Sequence, residues 1–167
     1  MPNRRDWQQQ LNNAIDNARQ TERPLSLLFF DIDHFKHIND SLGHAKGDHY
    51  LRLLAECIRQ NIRNGDIPGR FGGEEFVLLL PDTECQQAAN VAERIRQTYQ
   101  QRAAAAGSTV SIGIACWHRH EEAQNLLGRA DQAMYQAKRD GRNCIRTSPA
   151  ELQVASAHAD GRQHDGR

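Results

Sequence analysis

The sequence predicts an α+β fold: a central mixed, mostly antiparallel five-stranded sheet flanked by helices. Three observations carry this prediction. Apolar residues recur at helical spacing in several separate stretches. Five short runs read as strands. A paired-glycine turn joins two of those runs into a hairpin.

Trp7, Leu11, Ala14, Ile15 and Ala18 fall at helical spacing and predict an amphipathic first helix, which Arg23-Pro24 ends. Leu25 to Phe30 is a continuous apolar run followed by Asp31-Ile32-Asp33. This is the pattern of a strand buried on both faces, with acids at its C-terminal end. His34 to Leu42 reads as a short helix interrupted by Gly43. Tyr50, Leu53, Leu54, Cys57, Ile58 and Ile62 mark a helix between Lys46 and Ile62.

Asn64-Gly65-Asp66 is a turn signal. Ile67 to Phe71 and Phe76 to Leu80 read as strands of a hairpin around Gly72-Gly73-Glu74-Glu75, since paired glycines supply the positive φ angles of tight turns. Ala88, Val91, Ala92, Ile95 and Tyr99 give a further helix. Val110, Ile112 and Ile114 alternate with Ser111, Gly113 and Ala115, a strand with two unequal faces. Leu126, Leu127, Ala130, Ala133, Met134 and Ala137 give the last long helix, and Asn143 to Arg146 a final edge strand. Residues 1–146 are thus expected to form one domain. From Thr147 the periodicity fades into Ala, Ser, His, Asp, Gly and Gln, and residues 147–167 are expected to be a disordered tail.

A chain of 167 residues is long enough for one domain with a substantial core. Lys plus Arg and Asp plus Glu both number 21, so the net charge is zero. That argues against a general binder of nucleic acid or anionic membrane, while leaving room for a small anionic ligand held by local charge. No apolar run approaches membrane-spanning length. Cys57, Cys85, Cys116 and Cys144 form no CxxC pair, and each sits in or beside an apolar pattern. They read as small buried hydrophobes in a reducing, cytoplasmic setting, with no disulfide framework expected. The eight histidines include no HExxH zinc motif.

Two acidic groups stand out. Asp31 and Asp33 close a buried strand, and Glu74 and Glu75 sit at the Gly-Gly hairpin. Alternation puts Asp31 and Asp33 on one face of the strand and Ile32 on the other. Unpaired charge is expensive to bury, so these carboxylates must meet solvent, a basic partner or a metal. Alone, the Asp-x-Asp could simply cap the next helix, and the glycine turn could simply be a solvated tip. Together they favour a metal site. Oxygen-only ligands suit magnesium, particularly where phosphate oxygens complete the coordination.

Arg70-Phe71-Gly72-Gly73-Glu74-Glu75-Phe76 resembles the signature of the GGDEF family in its GGEEF form. Asp31-Ile32-Asp33-His34-Phe35-Lys36-His37-Ile38-Asn39-Asp40 resembles that family's DxDxFKxxND segment, and Gly43-His44 with Gly47-Asp48 its GHxxGD segment. Ala130-Asp131, Met134-Tyr135, Ala137-Lys138 and Gly141-Arg142-Asn143 resemble its ADxAMYxAKxxGRN block, and Pro2-Asn3-Arg4-Arg5 the end of its opening segment. The resemblance runs from Pro2 to Ile145 in order.

The resemblance implies a nucleotidyl-cyclase-like fold with a ferredoxin-like core. It also implies a diguanylate cyclase, which condenses two GTP into cyclic di-GMP and releases two pyrophosphates. By the same resemblance, the Asp31 carboxylate, the Ile32 carbonyl, Glu74 and Glu75 hold Mg²⁺, with Mn²⁺ as a substitute. Glu74 is the implied catalytic base, with Glu75 beside it in the catalytic pair, while Asp33 is structural. Gly72 and Gly73 let the hairpin approach the nucleotide. Phe35 and Lys36 match positions of the phosphate site over the next helix's N-terminus. Lys138 and Arg142 match basic positions that reach the triphosphate, although cations there would also offset a helix dipole. Asn39 and Asp48 match guanine-recognising positions, or serve as helix caps. His44 matches a nearby substrate position, or is a surface residue.

Arg63-Asn64-Gly65-Asp66 reads as RxxD, which resembles the family's inhibitory product site, with Arg94 as its secondary arginine. On its own the pattern is a helix-end arginine and a turn aspartate.

Family members work as face-to-face pairs, so a second copy of the chain is an implied partner, beside GTP and cyclic di-GMP. They typically carry an N-terminal sensory or receiver domain, which does not precede the motifs here. The opening DxLT is absent, and Met1 stands where the family usually has Leu. The alternative function is a catalytically silent GTP or cyclic di-GMP binding module. The intact Asp31, Lys36, Glu74 and Glu75 count against it.

Overall fold

A computed structural model describes residues 1–149 of the chain. Five strands form one sheet in the order β2-β3-β1-β4-β5, with β1 at Leu25–Ile32, β2 at Ile67–Gly72, β3 at Glu75–Pro81, β4 at Val110–Cys116 and β5 at Ile145–Thr147. Only the β4–β5 pair is parallel. This is the mixed, mostly antiparallel sheet expected from sequence. β5 includes Thr147, and the Ser148 N–H donates to the Ile114 carbonyl at 2.7 Å, so pairing runs past the expected domain boundary. The rest of the expected tail, residues 150–167, lies outside the described residues.

Every residue of β1 is buried, because helices cover both faces of the sheet. On one face, Leu25, Leu27 and Phe29 pack with Trp7, Leu11 and Ile15 of α1 (Arg4–Thr21) and with Leu126, Ala130 and Met134 of α5 (Ala123–Arg139). On the other, Leu28, Phe30 and Ile32 pack with α2 (Phe35–Leu42), α3 (His44–Gln60) and α4 (Cys85–Arg102).

The small face of β4 has a packing cause. A Cβ on Gly113 would overlap the Ala130 carbonyl oxygen and the Met134 backbone nitrogen, so the backbone of α5 rests directly on this strand. The Ser111–Gly113–Ala115 face is therefore buried like its opposite. Trp7 does the same for the edge strand β2. Its ring lies against Gly69, its Nε1–H donates to the Ile67 carbonyl at 2.9 Å, and Phe71 meets it edge-on at 5.4 Å.

The cysteines depart from expectation. Cys85 and Cys116 are joined in a disulfide, with Cα atoms 5.6 Å apart, and Cys85 is exposed. Cys85 begins α4 and Cys116 ends β4, elements whose ends meet only when the sheet forms. Cys57 is free and buried, and Cys144 is free and half-buried.

Candidate active site

The centre is built by strand register. β1 and β3 are antiparallel with Asp31 directly opposite Glu75, and the Ile32 N–H approaches the Glu74 carbonyl at 3.5 Å. Opposed residues of an antiparallel pair share a face, with Cβ atoms about 5 Å apart. The glycine hairpin therefore carries its two glutamates to the end of the strand bearing Asp31 and Asp33. Both turn glycines have positive φ, 134° at Gly72 and 50° at Gly73. A Cβ at either would meet nothing within 4 Å, so the tip faces open space into which a ligand can come close. Arg70 closes the turn from its own strand, donating to the Gly73 carbonyl at 2.8 Å and 3.2 Å.

The two aspartates have different surroundings. Asp33 is almost fully buried and saturated. It accepts from Thr109 Oγ1 at 2.7 Å, Ser111 Oγ at 2.6 Å, Lys138 Nζ at 3.1 Å and the Asn143 N–H at 3.0 Å. It ties β1, β4 and the turn after α5 together and is structural. Among the described residues the Asp31 carboxylate has one close partner, Lys138 Nζ at 3.0 Å. Burial pushes its carboxyl up to about 7 in spite of Lys138, with Glu74 and Glu75 adding to the rise. Glu75 is also raised, by burial first and then by Asp131 and Glu74.

A buried carboxylate with two acidic neighbours and a single ammonium is a site short of positive charge. The donors are all oxygen, as a hard dication requires. Among the described residues no three His, Cys, Asp or Glu side chains close a metal cage by themselves.

The other residues expected from sequence to meet a substrate lie on α2, on α3 and in the turn after α5. Phe35 is buried at the start of α2, and the Asn39 side chain lies against Gly47, where any Cβ would collide with it. Asp48 and His44 are exposed on the first turns of α3. Lys36 is 93 % exposed and pairs with Asp40 at 3.7 Å rather than with the carboxylates. Arg142 sits exposed with φ 65° in the turn after α5, and its N–H caps the helix by donating to the Ala137 carbonyl at 2.9 Å. Sequence reasoning did not find the roles of Thr109, Ser111 and the Asn143 backbone, whose only sequence signal is hydroxyls on the small-residue side of β4.

On the flank, Arg63, Asp66 and Arg94 line one cavity of about 340 Å³ with Asn61, Thr83, Gln87 and Val91. Arg63 Nη2 donates to the Pro81 carbonyl at 2.8 Å, the Asp82 carbonyl at 3.2 Å and Thr83 Oγ1 at 2.8 Å. Asp66 Oδ2 accepts from the Arg63 N–H at 3.0 Å, while its buried Oδ1 accepts no hydrogen bond among the described residues. Burial raises the Asp66 carboxyl against the pull of Arg63. Arg94 is held by Asn61, through Oδ1 at 3.3 Å and the carbonyl at 3.2 Å.

The profile of a known family, described as "Diguanylate cyclase, GGDEF domain", matches residues 1–144. This chain belongs to the GGDEF family. Among curated relatives of the domain, diguanylate cyclase A of Treponema denticola is 38% identical over 148 residues, 85% of this chain and 40% of that protein. The chain thus spans well under half the length of that relative. Among solved structures, the active GGEEF domain of a diguanylate cyclase from Vibrio cholerae superposes with TM-score 0.85 at 35% identity, covering 89% of this chain and 98% of that one. The coiled coil and GGDEF domain of DgcB from Caulobacter crescentus, in complex with c-di-GMP, superposes with TM-score 0.83 at 29% identity, covering 89% and 82%. The nucleotidyl-cyclase-like fold expected for a GGDEF domain is the one found. No helix among the described residues is long and apolar enough to cross a membrane.

Proposed function

We propose that this GGDEF domain condenses two GTP molecules into cyclic di-GMP with release of two pyrophosphates, working in the cytoplasm as one half of a symmetric pair of copies. The register that sets Asp31 opposite Glu75, beneath an open Gly72–Gly73 tip, carries the reading.

The triphosphate lies over the start of α2, where free N–H groups point outward and Phe35 and Lys36 stand. Lys138 and Arg142 approach it from the end of α5. Asn39 and Asp48 face the guanine edge and His44 lies nearby, an amide and a carboxylate matching donors that adenine lacks. Asp31, the Ile32 carbonyl, Glu74 and Glu75 are the groups that hold a dication, magnesium or in its place manganese. That ion supplies charge neutralisation at the phosphoryl oxygens. Glu74 takes the proton from the 3′-hydroxyl of one GTP as that oxygen attacks the α-phosphorus of the other, and pyrophosphate leaves in line. Each copy holds one nucleotide, so two facing copies close both bonds. Arg63, Asp66 and Arg94 take the product in the flanking cavity and restrain turnover. Upstream sensory or receiver sequence sets the pairing of the copies.

The test is incubation with GTP and magnesium at concentrations that favour pairing. Cyclic di-GMP and two pyrophosphates are expected. Glu74→Gln should cut turnover at least about 100-fold, the scale of a lost general base, with the melting temperature little changed. GTP bound but never converted by the paired domain would make it a binding module instead.

A further inference from the structure

We propose that Cys85 and Cys116 are a reversible thiol–disulfide site whose state sets how tightly the neighbouring cavity holds cyclic di-GMP. This rests on reading that cavity as the product site.

The bridge joins two elements that the sheet already brings together. Cys116 lies opposite Ser26 in the β1–β4 register, and Cys85 opens α4. A Cα separation of 5.6 Å is within reach of a disulfide without backbone movement. Cys85 is exposed and Cys116 half-buried, so solvent-borne thiols can reach the pair. Cys85 also stands at a helix N-terminus, where backbone N–H groups favour a thiolate. The two remaining cysteines do not compete, because burial raises the thiols of both Cys57 and Cys144. The bridge stands at the margin of an extensive hydrophobic core, against which Cys116 packs. In a cytoplasmic protein such a bond is usually transient or redox-sensing.

The residues beside Cys85 form the cavity wall. Thr83, two positions before it, presents its hydroxyl to Arg63 and its carbonyl to Ser26 Oγ, at 2.8 Å each. The Pro81 and Asp82 carbonyls also hold Arg63. Gln87, two positions after Cys85, lines the cavity and accepts from the Glu84 N–H at 3.1 Å. The wall continues from Pro81 of β3 into α4, and the Ser26 bond and the disulfide fasten it further to the sheet. Its outer side positions the arginine that meets the ligand. Opening the disulfide leaves the β3 backbone and the Ser26 bond as the inner fastenings, and part of the pocket's pre-organisation is lost.

The exchange needs a dithiol reductant, small or protein-borne. Its thiolate attacks Cys85 Sγ, a mixed disulfide forms, the Cys85–Cys116 bond breaks, and Cys116 leaves as a thiolate that takes a proton. The reductant's second thiol then displaces Cys85 and the reductant departs as its own disulfide. Two electrons pass to the protein. An oxidised dithiol or disulfide of the same class reverses the step.

Calorimetric titration of cyclic di-GMP into the full chain, with thiol counting on the same samples, tests this. The untreated chain should show two accessible thiols after denaturation and the dithiothreitol-treated chain four, as Cys57 and Cys144 are free in both. Reduction should raise the Kd about three- to tenfold, the scale of a modest loss of pre-organisation. Cys116→Ser should bind like the reduced chain whether or not reductant is present. Equal affinity in both redox states, or four thiols before reduction under mild oxidant, overturns the redox inference while leaving the product site standing. Absence of binding in either state overturns the product-site reading itself and this inference with it.

Discussion

Lys138 Nζ lies 3.0 Å from Asp31 Oδ1 and 3.1 Å from Asp33 Oδ1, so one ammonium bridges both carboxylates at the end of β1. Asp33 keeps three other donors, whereas Lys138 is the one cation paired with Asp31 among the described residues. Without bound cations the lysine therefore fills the place that positive charge must fill. Monovalent ammonium and a dication a few ångströms apart repel by several kcal/mol even at an effective dielectric constant of about 20. Lys138→Met should therefore strengthen Mn²⁺ binding in the absence of nucleotide by roughly tenfold or more, and weaken GTP binding. Titration of Mn²⁺ by electron paramagnetic resonance at pH 8 checks the first effect. Weaker metal binding in the variant would mean that the lysine supports the cation site rather than competing for it.

Asp31 also gives the metal-free domain a pH signature. Its carboxyl is raised by burial from 3.8 to about 7. Between those values the folded chain binds a proton that the unfolded chain does not. The stability that Asp31 contributes is therefore fully present below about pH 4 and is lost as pH rises toward 7. In EDTA, the difference in unfolding free energy between Asp31→Asn and the parent should widen in favour of the variant across that interval and then level off. A difference that stays flat with pH would show that Asp31 titrates as an ordinary surface carboxylate.

Local chemistry made most of this legible in advance. The apolar run from Leu25, the hairpin glycines and the four long helical patterns each report on a single element, and each element formed where its own residues placed it. What the pattern could not carry was pairing across distance. That Asp31 would sit opposite Glu75 depends on the register of two strands whose partner positions are 44 residues apart. The same holds for Asp33, whose donors come from Thr109 just before β4, Ser111 of β4, Lys138 of α5 and Asn143 in the turn after it, and for Cys85, whose partner is 31 residues away. The Ser111–Gly113–Ala115 face looked weak in composition because small side chains carry little apolar signal. Their smallness is instead what lets the α5 backbone rest on the sheet.

That close approach is itself testable. A Cβ at Gly113 would overlap backbone atoms of Ala130 and Met134, which cannot rotate away as a side chain would. Gly113→Ala must push α5 off β4, and with it the helix that delivers Lys138. The expected cost is about 3 kcal/mol, the upper end for overpacking. Chemical denaturation measures it. Gly128, also on α5 but with open space around its Cβ position, is the control, and Gly128→Ala should be neutral or slightly stabilising. Equal effects at the two sites would refute the packing account.

Arg63 has the most demanding role in the flanking cavity. Its guanidinium already donates to Pro81, Asp82 and Thr83, which fixes it along the wall, and its Nε stands 3.6 Å from Asp66 Oδ1. Pro81 and Asp82 are reached by solvent, and the buried Thr83 hydroxyl keeps its own bond to the Pro81 carbonyl, so water can replace the arginine in Arg63→Ala and the fold should survive. A phosphate or guanine edge bound there would lose charged hydrogen bonds worth about 1.5–3 kcal/mol each. The concentration of cyclic di-GMP giving half-inhibition should accordingly rise at least tenfold, while the initial rate with fresh GTP stays near that of the parent. Asp66→Asn should weaken inhibition less, because an amide still offers an acceptor oxygen. Inhibition curves for the two variants, read beside their initial rates, separate a product site from a general loss of structure. An unchanged curve for Arg63→Ala would remove this cavity from the account and place product inhibition at the nucleotide site itself.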